Sequence, residues 1–386
     1  MKRLIQVFFA ATVVFFLAVS CSKRPTYLVI DGIGACGNGI HDRGELGVDC
    51  GGSCPNQCTN VKFLEGEIYT RVPLNPNFQY IVTGPFIIRD KAALNIPAGT
   101  KIKVQPDVGA YIAVMQGGRI FAWGTADNPI TITSNAAEPR PGDWGGIIIC
   151  GKAPVAGDDK RLSELGYYFY GGDNVLDSSG YLKYVKIEYA GAAYDTIRKF
   201  NAISFYGTGA YTSVDHLWID QSQATGIGIN GGTVPLTDVY VSEGEEGVRI
   251  QDTWAGKGER WFLADNENQG LTIIGTPALS ATNSSSIRLN HIEIKNPGSY
   301  GMYFSGVSQK LQLYNARIEN AAVGIGFFNV ENQNVLLNTF NFKNIGIRNS
   351  QSLSNIPQFN LMLNTAETPA AESLQRPNWA TLWPQD

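Results

Sequence analysis

The sequence has little charge, little basic character and few helix-forming stretches, and each shortage excludes something. Charged residues make up 17% of the 386, there are three histidines, and the net charge is −4. No block of lysines and arginines is present, which argues against a nucleic-acid partner. Lysine and glutamate are sparse beside 43 glycines, so turn formers outnumber helix formers. Motifs of the G-x-S-x-G, phosphate-loop and H-E-x-x-H kinds are missing. Past the first twenty residues no stretch approaches eighteen apolar residues, so no membrane-spanning helix is expected there.

What is present begins with an export signal. Lys2 and Arg3 precede an apolar run from Val7 to Val19, too short to cross a bilayer comfortably. The run ends Leu17-Ala18-Val19-Ser20-Cys21, which resembles a lipobox cleaved before a cysteine that then carries lipid. An ordinary secretory signal with an incidental Cys21 is the alternative. Lipid on Cys21 would place the chain at the outer membrane of a Gram-negative cell, with the cell surface expected over the periplasmic face. Export would also put the cysteines in an oxidising compartment.

Cys36, Cys50, Cys54 and Cys58 fall within one short glycine-rich segment that cannot build an apolar core, so two disulfides with three possible connectivities are expected. Asn38, Asp42, Glu45 and Asp49 lie between them and supply oxygen donors of the kind Ca²⁺ prefers. The alternative is a disulfide knot whose acids cap turns. The segment resembles short Cys-rich modules at the N-termini of Bacteroidota surface proteins.

The rest of the chain repeats. Asn296, Asn320 and Asn344 are 24 residues apart, each preceded by apolar residues at period two: Leu289, Ile292 and Ile294; Leu313, Ala316 and Ile318; Leu337, Phe340 and Phe342. The same template fits upstream at Leu182/Val185/Ile187, Val214/Leu217/Ile219 and Leu236/Val239/Val241. A second strand follows in each unit, beginning at Ala202, Gly226, Gly247, Gly270, Gly301, Gly324 and Gly346, at intervals of 24, 21, 23, 31, 23 and 22. That period is too short for propeller blades and carries no helices, so it predicts a right-handed parallel β-helix over 61–364, one unit per coil. A β-sandwich would not explain the fixed period. Cys150, following three isoleucines, is expected to be a buried thiol. Trp379 and Trp383, in a tail that leaves the period at 365, are suited to cover the open end of the stack.

Three stretches resemble Bacteroidota surface lipoproteins of the β-helix type: residues 94–133, with Leu94, Ile96, Gly99-Thr100 and Asn128-Pro129-Ile130; the Trp144-Gly145-Gly146 block with Ala153-Pro154; and Asp177-Ser178-Ser179-Gly180 leading into Tyr181 to Gly191. The resemblance implies fold and cell address more than activity.

Chemistry is harder to find. Glu243, Glu245, Glu246, Arg249 and Asp252, with Lys257 nearby, form the best catalytic candidate, yet an acidic turn neutralised by an arginine is the preferred reading. Outward pairs such as Lys186/Glu188 and Glu293/Lys295 read as a solvated charge ladder. His216 and His291 occupy one coil position several turns apart and cannot share a metal. Tyr167, Tyr168 and Tyr170, in a long insertion, and Arg249 and Trp254 are candidates for holding a sugar, with folding back onto the helix as the alternative for the tyrosines. The expectation is a non-enzymatic envelope protein presenting its surface to a glycan or to a partner in an outer-membrane complex. The runner-up is a polysaccharide lyase or hydrolase.

Overall fold

A computed structural model describes Cys36, residues 42–46, 48–157, 160–166, 168–275, 286–306, 310–329, 340–355 and 376–381. It divides into two units, Met1–Gln57 and Cys58–Asp386. Cys21, Asn38, Tyr167, Leu337 and Trp383 lie outside the described residues.

In the first unit Cys36 is bonded to Cys54. Cys50 is disulfide-bonded as well, as is Cys58, the first residue of the second unit. Glu45 is buried at 3% exposure, and its Oε2 accepts the backbone N–H groups of Asp42 and Asp49 at 3.0 and 3.1 Å. This carboxylate therefore caps the turns of the module from within. The sulfurs beside it are oxidised and cannot act as thiolate ligands.

The second unit is a parallel β-helix with three faces. Each described coil contributes a strand segment to each face, and equivalent segments pair in parallel with the next coil. In the coils from Ala93 to Cys150 the faces are separate strands, such as Arg119–Trp123, Ile130–Ser134 and Ile147–Cys150. From Gly180–Glu188 onward a single strand supplies the first two faces, and its two halves pair back onto Arg119–Trp123 and Ile130–Ser134 respectively.

The bend inside that strand is set by one left-handed residue per coil. Tyr184, His216, Asp238, Arg260, His291, Asn315 and Asn344 all have φ between 50° and 59°. Tyr189, Gln221, Glu243, Asp265, Asn296, Asn320 and Asn349 turn the chain again before the third face, with φ between 49° and 60°. Asparagine and aspartate tolerate this region best, and stacking gives their side chains partners. Asn296 donates to Asp265 Oδ1 at 2.7 Å and Asn320 to Asn296 Oδ1 at 2.5 Å. Asn344 donates to Asn315 Oδ1 at 2.7 Å.

These ladders correct the last coil of the sequence template. Phe340 pairs with Leu311, Phe342 with Leu313 and Ile345 with Ala316. Asn344 thus stacks at the first corner, on Asn315, and Asn349 takes the position expected for Asn344. Ile347 belongs to the second face, and the third-face strand there is Ser352–Ser354. The error arose because both corners select asparagine, so spacing alone could not tell them apart. The other third-face strands pair as read: Ile203, Ile227, Val248, Leu271, Met302 and Ile325 form one column. All six are fully buried. Except at Ala202, the residue before each apolar start is a glycine with no room for a Cβ. A Cβ at Gly247 would lie 2.4 Å from the carbonyl oxygen of Gly270, and one at Gly301 2.6 Å from that of Gly324.

Two exterior features differ from expectation. Lys186 and Glu188 form an ion pair with side chains only 7% and 10% exposed, not a solvated ladder. Lys186 Nζ also lies over the Trp218 ring at 3.9 Å, and the tail packs on that same ring. Arg376 lies over Trp218 at 3.9 Å, and Trp379 meets His216 edge-on at 5.0 Å. Trp379 and Ala380 join Trp218, Tyr240 and Phe262 in a lateral cluster. The described part of the tail is thus seated on the side of the middle coils, where outward aromatics stack in register and offer more apolar surface than the sequence alternation suggested.

Candidate functional site

The third face carries its chemistry on outward positions. Ser204, Gly228, Arg249, Thr272, Tyr303 and Gly326 form one outward row across successive coils. Above its first half lies a cleft of about 420 Å³ lined by Glu164, Lys199, Asn201, Tyr206, Glu245 and Arg249, among others. Gly228 leaves the floor open: a Cβ there would lie 2.2 Å from Asn201 Nδ2.

Arg249 is held by Glu246, whose two oxygens accept from Nε at 2.8 Å and Nη2 at 2.6 Å. Burial alone would lower the guanidinium's pKa. Pairing with Glu246 and the nearby carboxylates of Glu245 and Glu164 outweigh it and raise the value, so Arg249 stays a cation. Lys199 Nζ donates to Glu245 Oε2 at 2.9 Å, with side chains 44% and 38% exposed. Gln251 donates to Asn230, and both line the cleft. Farther along the same row Tyr303 stacks on Phe328 at 4.6 Å, with Tyr300 edge-on to both. A Cβ at Gly326 would strike the Tyr300 ring at 2.7 Å. Two strand spacings separate Arg249 from Tyr303, about 9.6 Å. The face therefore combines a polar, charged cleft with an aromatic platform along one line.

The acidic turn seen in the sequence is divided between locations. Glu245 and Arg249 reach the cleft, and Glu246 lies beneath, positioning Arg249. Glu243 sits at the second corner, its carboxyl pKa raised by burial and by Asp220 and Asp265. Asp252 is taken up by Tyr170, whose hydroxyl donates at 2.9 Å, and by Arg161. Lys257 starts a first-face strand.

The insertion folds back onto the helix. Tyr170 is 4% exposed and packs on Tyr206 at 5.0 Å. Tyr168 shares a 2.6 Å hydrogen bond with Tyr111. Tyr170 is thus sealed from a sugar, while Tyr168 is half-buried. Trp254 is corrected as well: it is fully buried, donating to the carbonyl of Val234 at 3.0 Å. Glu164, Lys199 and Asn201 were missed because they sit on loops outside the coil template, and only folding brings them over the third face.

His216 and His291 share a column, separated by Asp238 and Arg260. Asp215, His216 and Asp238 converge, but Lys183 lies 3.4 Å from Asp215 and Arg260 binds Asp238 through two hydrogen bonds of 2.7 Å. These carboxylates are neutralised by cations of the protein itself.

The pectate-lyase-like beta helix domain family matches residues 66–384. No curated protein matches the sequence. Among solved structures, the catalytic domain of a GH87 alpha-1,3-glucanase in complex with nigerose is 12% identical, with a TM-score of 0.29 over 73% of this chain and 62% of that one. A point variant of a GH87 alpha-1,3-glucanase catalytic domain with tetrasaccharides is 11% identical, with a TM-score of 0.26 over 74% and 63%. The chain thus spans less than two thirds of those domains. The family match overturns the expectation of a non-enzymatic protein and points to the glycan-active alternative.

Proposed function

The chain belongs to the pectate-lyase-like β-helix family, and from that premise we propose that it cleaves a polysaccharide in the third-face cleft. The observation that carries this is the cleft itself: Glu164 and Glu245 open into one space with Arg249 and Lys199. Tyr303 and Phe328 continue the same outward surface, where a further sugar ring would stack.

Hydrolysis is the chemistry these groups support best. Glycoside hydrolysis uses two carboxyl groups, one donating a proton to the leaving oxygen and one activating water or attacking the sugar. Glu164 and Glu245 take those roles here, with Lys199 orienting Glu245 through its hydrogen bond and Arg249 binding polar or acidic groups of the sugar. Elimination by a lyase calls for an arginine or lysine that has lost its proton, whereas Glu246 keeps Arg249 protonated.

The proposal includes the setting. Lipid on Cys21 holds the enzyme at the outer membrane, facing the cell surface, and Ca²⁺ binds the N-terminal module through Asp42 and Asp49 with Asn38. The test is incubation of the purified mature protein with a panel of acidic and neutral polysaccharides. New reducing ends without unsaturated uronate absorbance, lost in Glu245→Gln and in Glu164→Gln, are expected. Unsaturated products would replace hydrolysis with elimination, and an inert protein across the panel would remove the enzymatic reading.

A further inference from the structure

A second cleft, sharing no lining residue with the first, has about 540 Å³ and lies where the third face hands over to the first in the early coils. Arg71, Lys91, Arg119 and Lys152 line it, against two acids, Asp90 and Asp177. Arg71 and Arg119 stand in one column, each opening a first-face strand and separated by Ala93, so their backbones are about 9.6 Å apart.

Three observations distinguish this cleft from ordinary surface. All four cations are exposed, and among the described residues none of them forms an ion pair within 4 Å. Arg89, Arg161, Arg198, Arg249 and Arg260, by contrast, each sit on a carboxylate. In a chain of net charge −4, four unpaired cations around one cavity are a local concentration. The second observation is Asp177, 8% exposed, whose Oδ2 is buried without a hydrogen-bond partner. An acceptor left in that state lacks a donor of the kind a sugar hydroxyl provides. The third is an aromatic strip leading out of the cleft. Phe121 lines it and lies 4.8 Å from Tyr181, which stacks on Trp123 at 4.3 Å and 22°. Trp123 is 60% exposed, and Tyr211 on the cleft wall 67%.

We propose that this cleft is a binding site for an acidic oligosaccharide, one bearing carboxylate or sulfate groups, separate from the cleavage cleft. Arg71, Lys91, Arg119 and Lys152 pair with the acidic groups, Asp177 accepts a hydroxyl, and Trp123 with Tyr181 stacks on the next ring. Arginine suits this role because its planar fork matches carboxylate and sulfate oxygens. The site would hold an acidic chain on the protein independently of catalysis, so its failure and that of the hydrolase reading can be told apart.

The test uses the mature full-length protein and titrates oligogalacturonate, a sulfated oligosaccharide, a neutral glucan and single-stranded DNA, following tryptophan fluorescence and calorimetric heat. Saturable binding of one or both acidic sugars is expected, and the comparison of the two shows which acidic group is preferred. Arg119→Ala combined with Lys152→Ala, and separately Trp123→Ala, should each weaken binding at least tenfold. Both changes are on exposed side chains, and unchanged circular dichroism would confirm the fold. Glu245→Gln should leave this binding intact. Binding that survives both changes, equal affinity for DNA or the neutral glucan, or no acidic-sugar binding at all would overturn the proposal.

Discussion

Replacing Arg249 separates stability from function in a way the structure makes quantitative. Glu246 is 7% exposed, and besides the guanidinium its described partner is the Thr225 hydroxyl at 3.4 Å. Arg249→Ala leaves that carboxylate buried and uncompensated. Breaking a buried pair costs about 3–5 kcal/mol. The Arg249 side chain is 39% exposed, so solvent screening places the loss near the lower end, about 3 kcal/mol. Adding Glu246→Gln removes the stranded charge and should restore most of that stability. It should not restore function. A lost charge-assisted hydrogen bond to substrate is worth about 1.5–3 kcal/mol, or about tenfold to a hundredfold in kcat/KM. Urea unfolding and reducing-end kinetics on wild type, single and double variants measure both quantities. A double variant with wild-type stability and wild-type kcat/KM would refute the assignment of Arg249 to the cleft's chemistry.

Four further outcomes are expected. Burial raises the Asp177 pKa, against the opposing influence of Lys152 and Arg119; the native state therefore keeps a proton that the unfolded chain has lost above about pH 3.9. Stability should fall as pH rises through that window, and Asp177→Asn should melt higher than wild type at neutral pH with the gap closing in acid; a variant less stable at pH 7 would contradict this. Burial pushes the Cys150 thiol up to about 12, so a thiol reagent at pH 8 should label it only after denaturation, and rapid labelling of native protein would show the site is open. Cys21→Ser should move the protein from the membrane to the soluble fraction, and unchanged fractionation would remove the lipid anchor. Ca²⁺ should raise the unfolding temperature of the mature protein, an effect lost in Asp42→Asn with Asp49→Asn; no rise in the wild type would leave the module without a metal.

Much of the solenoid was legible because its constraints are local and repeated. Period-two apolar residues such as Leu217/Ile219 and Val239/Val241 mark a buried strand face on their own, and the 21–24-residue interval marks one coil. The columns from Ile203 to Ile325 pair as that spacing requires. The buried state of Cys150 followed from the apolar strand around it. Where two positions demand the same backbone the pattern lost its register, as at Asn344 and Asn349. The burial of Lys186 and Glu188 was invisible for a different reason. Alternation tells which side chains point outward, but not what later packs over them.

The candidate site lies mostly beyond what such patterns carry. Arg249 and Glu245 could be singled out because they cluster in one turn. Glu164, from the insertion, and Lys199, from another loop, are brought beside them only when those segments fold over the third face. The same folding buries Tyr170 and half-buries Tyr168, the alternative to sugar binding that the sequence had left open. By itself, then, the sequence determined the parallel stack, its apolar columns and most of its register, because short-range alternation and the need for left-handed corners act coil by coil. Which outward residues share a cleft, which are sealed beneath a loop or the tail, and which cations remain unpaired were decided by tertiary structure, because these depend on contacts between segments tens of residues apart that no local pattern encodes.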